Sequence, residues 1–103
     1  MGSQILAKES YALIRKNFDL NNELDENSDG FQQLFVILRQ EVQKLLDHDF
    51  NHLLNILYRI DIAESRLKHI LEISKPEEIA DELTREIIDR HRQKVITRLR
   101  YNS

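Results

Sequence analysis

The chain has no cysteine, no tryptophan, one proline and two glycines in 103 residues. Without cysteine there is no disulfide framework, no thiolate nucleophile and no sulfur-ligated zinc site, so the fold must stand on packing alone. Sheet proteins of this length need several tight turns, and those turns draw on glycine and proline. Their scarcity points to an all-α fold. Long apolar runs are missing too: nothing approaches the roughly 20 continuous apolar residues of a membrane span, and no basic start leads into an apolar segment of the signal-peptide kind. Met1-Gly2 opens like an acylation motif, but Leu6 stands where that motif wants Ser or Thr. A cytoplasmic protein with no membrane partner is expected. Neither sign of charge dominates, since 15 Lys and Arg against 18 Asp and Glu leave a net charge of -3. That balance gives no overall drive toward nucleic acid. The sequence also lacks a glycine-rich phosphate loop, a Gly-x-Ser-x-Gly elbow and a His-Glu-x-x-His motif. A non-catalytic protein without a cofactor is the expectation.

What is present is leucine and isoleucine at helical spacing. Hydrophobic residues make up 41% of the chain, enough to build one core in a length too short for two. A single domain over residues 1–103 is expected, closing as a small bundle of four to five helices. Ile5, Leu6, Leu13 and Ile14, with Tyr11 and Phe18, predict a first amphipathic helix over 4–17. Residues 19–30 carry five acids, three asparagines and no basic residue, and read as an acidic loop that Leu20 and Leu24 can dock. Ser28, Asp29 and Gly30 then offer N-caps for a helix beginning near Phe31. Its stripe of Phe31, Leu34, Phe35, Leu38, Val42, Leu45 and Leu46 runs to about residue 47.

The stripe pauses at Asp47-His48-Asp49, where Asp49 either caps a new helix or sits within a continuing one. Over 49–59, Phe50, Leu53, Leu54 and Leu57 fall on one side of a helix and His48, Asn51, His52, Asn55 and Arg59 on the other. Asp61-Ile-Ala-Glu64 has the form of a capping box, which places a break near Ile60 and a helix over 62–73. Ser74-Lys-Pro-Glu77 is a second such box, with Pro76 in the first turn, where its missing N–H costs nothing. The last helix is expected over 75–100, acidic at its start and basic at its end, in the order that the helix dipole favours. Pairs such as Asp81 with Arg85 and Glu86 with Arg90 stand at i, i+4 along it.

The runs DFNHLLNILYRIDIAESRL (Asp49 to Leu67) and EIADELTREIIDRHRQKVITRLRY (Glu78 to Tyr101) together resemble small helical bacterial proteins of unassigned function. The resemblance covers about the last half of the chain. It implies a helical fold and a bacterial source, and it carries no catalytic residues with it.

Three functional readings follow from the residues. His48 and His52 share a helical face, and Asp49 adds an oxygen donor, which makes a partial site for a metal or small ligand. A divalent ion needs a third protein ligand, and a di-iron bundle needs Glu-x-x-His on two helices; here Asp49-x-x-His52 comes near once. The wider stripe of His48, Asn51, His52, Asn55 and Arg59 is a possible polar surface site. The second reading uses the basic end of the chain: six Lys or Arg against two acids over 85–103, with Arg90, Arg92, Lys94, Arg98 and Arg100 as possible phosphate contacts. The acidic balance of the whole chain argues against nucleic acid as the partner. The third reading rests on apolar residues spread over more than one helical face: Leu53, Ile56, Leu57, Ile60, Ile62 and Ile73, with Val36 and Ile37. An exposed apolar patch marks a partner surface, so the leading expectation is a helical interaction module that binds protein, either itself as a homodimer or another helical chain.

Overall fold

The computed structural model describes residues 2–20 and 30–102. Among these residues there is no strand, and five helices follow one another: α1 (Gly2–Ile14), α2 (Gly30–His48), α3 (Phe50–Arg59), α4 (Glu64–Ile73) and α5 (Pro76–Asn102). The expected all-α bundle is present. Most of the acidic loop, together with Leu24 and the cap residues Ser28 and Asp29, lies outside the described residues. At its near edge Leu20 is buried, docked as its apolar side chain requires.

The first helix buries only part of the expected face: Tyr11, Ile14 and Phe18 are inside, and Ala7 and Ser10 take the place of the rest. Ile5 is exposed, and Leu6 and Leu13 are half-buried. The reason is close approach: a Cβ built on Gly30 at the start of α2 would stand 2.7 Å from the Cβ of Ala7. Small residues let the two backbones meet there, and larger ones turn outward. Ser10 is buried in this face, and its hydroxyl has no hydrogen-bond partner among the described residues. After Ile14 the helix tightens, with the amides of Lys16 and Asn17 donating to the carbonyls of Leu13 and Ile14 at 3.2 and 3.0 Å.

In α2 the stripe is as expected. Leu34, Leu38, Val42 and Leu45 are buried, Ile37 joins them, and Phe31, Phe35 and Leu46 pack against the core in part. A single residue separates α2 from α3. The carboxylate of Asp49 accepts from the amide of His52 at 3.3 Å, so Asp49 is an N-cap.

The next break departs from the capping box expected at Asp61. Asp61 has φ of 63° and closes α3 instead of opening α4. Its amide donates to the carbonyl of Tyr58 at 3.1 Å, and that of Ile62 to Leu57 at 3.3 Å. These are the two bonds of a Schellman ending, with Asp61 at the left-handed position usually held by glycine. Ile62 and Leu57, both buried, supply its apolar contact. Ala63 precedes α4 and contributes no side-chain cap. At the second expected box, Pro76 is the first residue of α5, but the hydroxyl of Ser74 donates to Glu82, eight residues on, and not to Glu77.

Side-chain pairs tie α5 to its neighbours. Arg92 lies over the ring of Phe31, Arg85 over that of Phe35, and Arg39 pairs with Asp81, so α2 and α5 run antiparallel. Arg66 pairs with Glu86, and that carboxylate holds the guanidinium above its ordinary pKa. The carboxylates of Asp81 and Glu86 therefore reach other helices, not the i+4 arginines of their own. At a rise of about 1.5 Å per residue, 27 residues span about 40 Å, the whole 39 Å of the longest axis. Residues from all five helices meet in one cluster along its inner face.

Candidate functional site

The five members of the polar stripe, His48, Asn51, His52, Asn55 and Arg59, are all exposed. The cap role of Asp49 accounts for one of the three proposed metal donors. The histidines of other helices do not join them: His69 is exposed on α4, and His91 is buried on α5 with Nδ1 2.7 Å from the carbonyl of Ile87. Among the described residues no three His, Asp or Glu side chains come together in a group able to hold a metal ion.

The stripe does touch something else. Arg59 donates from a terminal guanidinium nitrogen to Oδ1 of Asn17 at 3.3 Å, and His52 joins residues of the turn after α1 around a cavity of about 440 Å³. Arg15 and Lys16 line that cavity as well, with Asp19 as a carboxylate at its edge. Cations at this place lie at the C-terminal end of α1, where the helix dipole favours positive charge. Arg15 also lies over the ring of Tyr11. The cluster thus fastens the end of α1 to α3.

The basic residues of α5 divide by task. Arg90 donates through Nε to the carbonyl of Ile60 at 3.1 Å and stands 4.0 Å from Asp61, closing the end of α3. Arg92 is committed to the ring of Phe31. Lys94 is half-buried, while Arg98 and Arg100 are exposed. Of the five proposed phosphate contacts, Arg90, Lys94 and Arg100 line one cavity of about 530 Å³, with Gln93, Ile96 and Thr97, and Arg92 and Arg98 do not. The bond from Arg90 to Ile60 spans thirty residues of sequence, and no local pattern signals it. His91, between these cations, has its pKa lowered by burial first, then by the nearby charges of Lys94 and Arg90, against an opposing effect of the Ile87 carbonyl.

The apolar residues sort in an unexpected way. Leu53, Ile56, Leu57, Ile60, Ile62 and Ile37 are buried within the monomer. Val36 and Ile73 remain outside, 52% and 69% exposed. Another apolar feature on the surface includes Phe50 and Leu54, two residues expected on the core side of the third helix, and with them Tyr58. Phe50 is 39% and Tyr58 54% exposed, with Leu54 half-buried between them. At i, i+4 and i+8 they make a ridge along α3. Their positions flank the buried residues Leu53, Ile56, Leu57 and Ile60, and a helix of ten residues buries too narrow an arc to cover both. The hydrophobic pattern alone did not separate arc from flank, because it does not say how far a neighbouring helix reaches.

No helix among the described residues is long and apolar enough to cross a membrane. Comparison with protein-family models, with curated proteins and with solved structures finds no match.

Proposed function

We propose that this chain is a non-catalytic helical interaction module of the bacterial cytoplasm, and that the ridge of Phe50, Leu54 and Tyr58 on α3 is its docking face. The supporting observation is the position of the ridge. Most other large apolar side chains of α2 and α3 turn into the core, Val36 excepted, yet two aromatic residues on the same short helix are 39% and 54% exposed. Aromatic side chains are the commonest anchors of protein interfaces, because they bury a large area with little loss of side-chain freedom. The surrounding α3 surface of Asn51, Asn55 and Arg59 supplies the polar rim that such an interface needs.

The partner assigned to it is a second copy. A straight ridge on one helix packs against its own image across a twofold axis, each aromatic filling the space beside its counterpart. Hydrogen exchange measured at low and high protein concentration tests the location. The expected result is slower exchange over residues 50–59 as concentration rises, with other helices unaffected. Slowing confined to α5, or none at all, goes against the reading.

A further inference from the structure

The cavity on α5 lies apart from the α3 ridge and carries a different chemistry. Its described lining holds three cations, Arg90, Lys94 and Arg100, two neutral hydrogen-bonding side chains, Gln93 and Thr97, and the apolar Ile96. No carboxylate is among them. Residues 90, 93, 94, 97 and 100 recur at intervals of three and four, so they share one face of the helix. We propose that this face binds the phosphate group of a small anionic ligand.

Helix-dipole complementation does not account for the arrangement. That effect fades within the last turn, where Arg100 lies, and Lys94 stands two turns before the end. The adjoining cavity, which shares Arg90 and Gln93, is different: Arg66 pairs there with Glu86, Asp61 faces Arg90, and Asp89 adds a third carboxylate. Lys94 is half-buried and has no ion pair among the described residues, so its charge lacks a nearby counter-charge there. The chain as a whole is acidic, so this positive spot is local. Its field also reaches the neighbouring imidazole, since Lys94 and Arg90 both push His91 toward its neutral form.

The tie from Arg90 to Ile60 fixes one cation in place before any ligand arrives, which reduces the ordering that binding requires. Arginine offers a fork of donors that matches phosphate oxygens, Lys94 adds a point charge, and Gln93 and Thr97 offer neutral donors beside them. A small ligand suits the geometry better than a nucleic-acid backbone. Three cations share this one open face of α5, whereas a backbone track would draw on the other basic residues of the helix as well, and Arg92 lies over Phe31 instead.

Inorganic pyrophosphate is the probe, titrated at low salt into the native chain, Lys94→Gln and Arg98→Gln while amide NMR signals are followed. Arg98 has the same charge on the same helix but lies outside the cavity lining, so it controls for general attraction. The expected result is saturable shifts at Gln93, Lys94 and Thr97, weakened about tenfold in Lys94→Gln, as for loss of one hydrogen bond to a charged group. Arg98→Gln keeps the native affinity within about twofold. Circular dichroism confirms that both variants are folded. Absence of saturable shifts overturns the proposal, as does equal weakening in the two variants or equal shifts around Arg15 and Lys16. A mixed-sequence oligonucleotide that binds more tightly than pyrophosphate and is weakened equally by both substitutions also overturns it, in favour of a backbone track.

Discussion

Asp61 shows how a single residue changes role between sequence and structure. Followed by Glu64, it has the pattern of a helix start, yet its positive φ and the two amide bonds around it make it the end of α3. Aspartate tolerates this conformation better than most L-residues, and glycine tolerates it without strain. Asp61→Gly is therefore expected to raise stability by up to about 1 kcal/mol, the relief of a left-handed residue, seen as a higher urea midpoint. Loss of the exposed 4.0 Å contact with Arg90 offsets little of this. Asp61→Val, branched at Cβ, is expected to lower the midpoint.

His91 is the other residue whose surroundings matter. It is buried and its folded pKa is lowered, so the unfolded chain, with a histidine pKa of about 6.5, binds the proton more readily. Its contribution to stability is complete above about pH 6.5 and is lost as the pH falls from there toward the folded value. Melting temperatures at pH 8 and pH 5 check this against His91→Leu, which should flatten the dependence over that window. An unchanged slope in the variant would assign the acid sensitivity to other groups.

At the scale of elements, the helices and most boundaries were legible because each rests on local chemistry. The stripe of α2, the cap at Asp49 and the position of Pro76 all act within a few residues of themselves. What was illegible depends on contacts between distant elements. Asp81 and Glu86 were expected to pair along α5, and they pair with Arg39 on α2 and Arg66 on α4. The inner face of α1 was legible only in part for the same reason: Tyr11 and Ile14 lie on it as expected, but Ala7 looks unremarkable until α2 is seen to start against it. That contact yields a prediction. Alanine is favoured over glycine in a helix by about 1 kcal/mol, so propensity alone says that Gly30→Ala stabilises α2. The 2.7 Å approach to Ala7 says the opposite, since α1 must move to admit the new methyl group. A net loss of about 1–3 kcal/mol is expected, typical of overpacking, measured by thermal or urea unfolding. The double variant Ala7→Gly/Gly30→Ala should recover part of it, because the small partner has only changed sides.

The whole molecule places its core around α5, and among the described residues that remain in water two features stand out. One is the charged cavity on α5, and the other is the aromatic ridge on α3. Of the candidate positions read from the sequence, the polar stripe is exposed, with Arg59 bonded to Asn17 and His52 beside the turn after α1. The ridge went unrecognised because Phe50 and Leu54 share their side of the helix with Leu53 and Leu57, and only the packed structure shows which of them the neighbours cover. The role proposed for this uncovered ridge is to join two chains. Static light scattering on the native chain and on Phe50→Ser/Tyr58→Ser, each over a wide range of concentrations, tests it most directly. The native chain should approach twice its 12.3 kDa mass at high concentration, while the double variant, with its helical content unchanged, stays at the mass of one chain. A native chain that remains at 12.3 kDa throughout, or a variant that assembles as readily as the native protein, would contradict it.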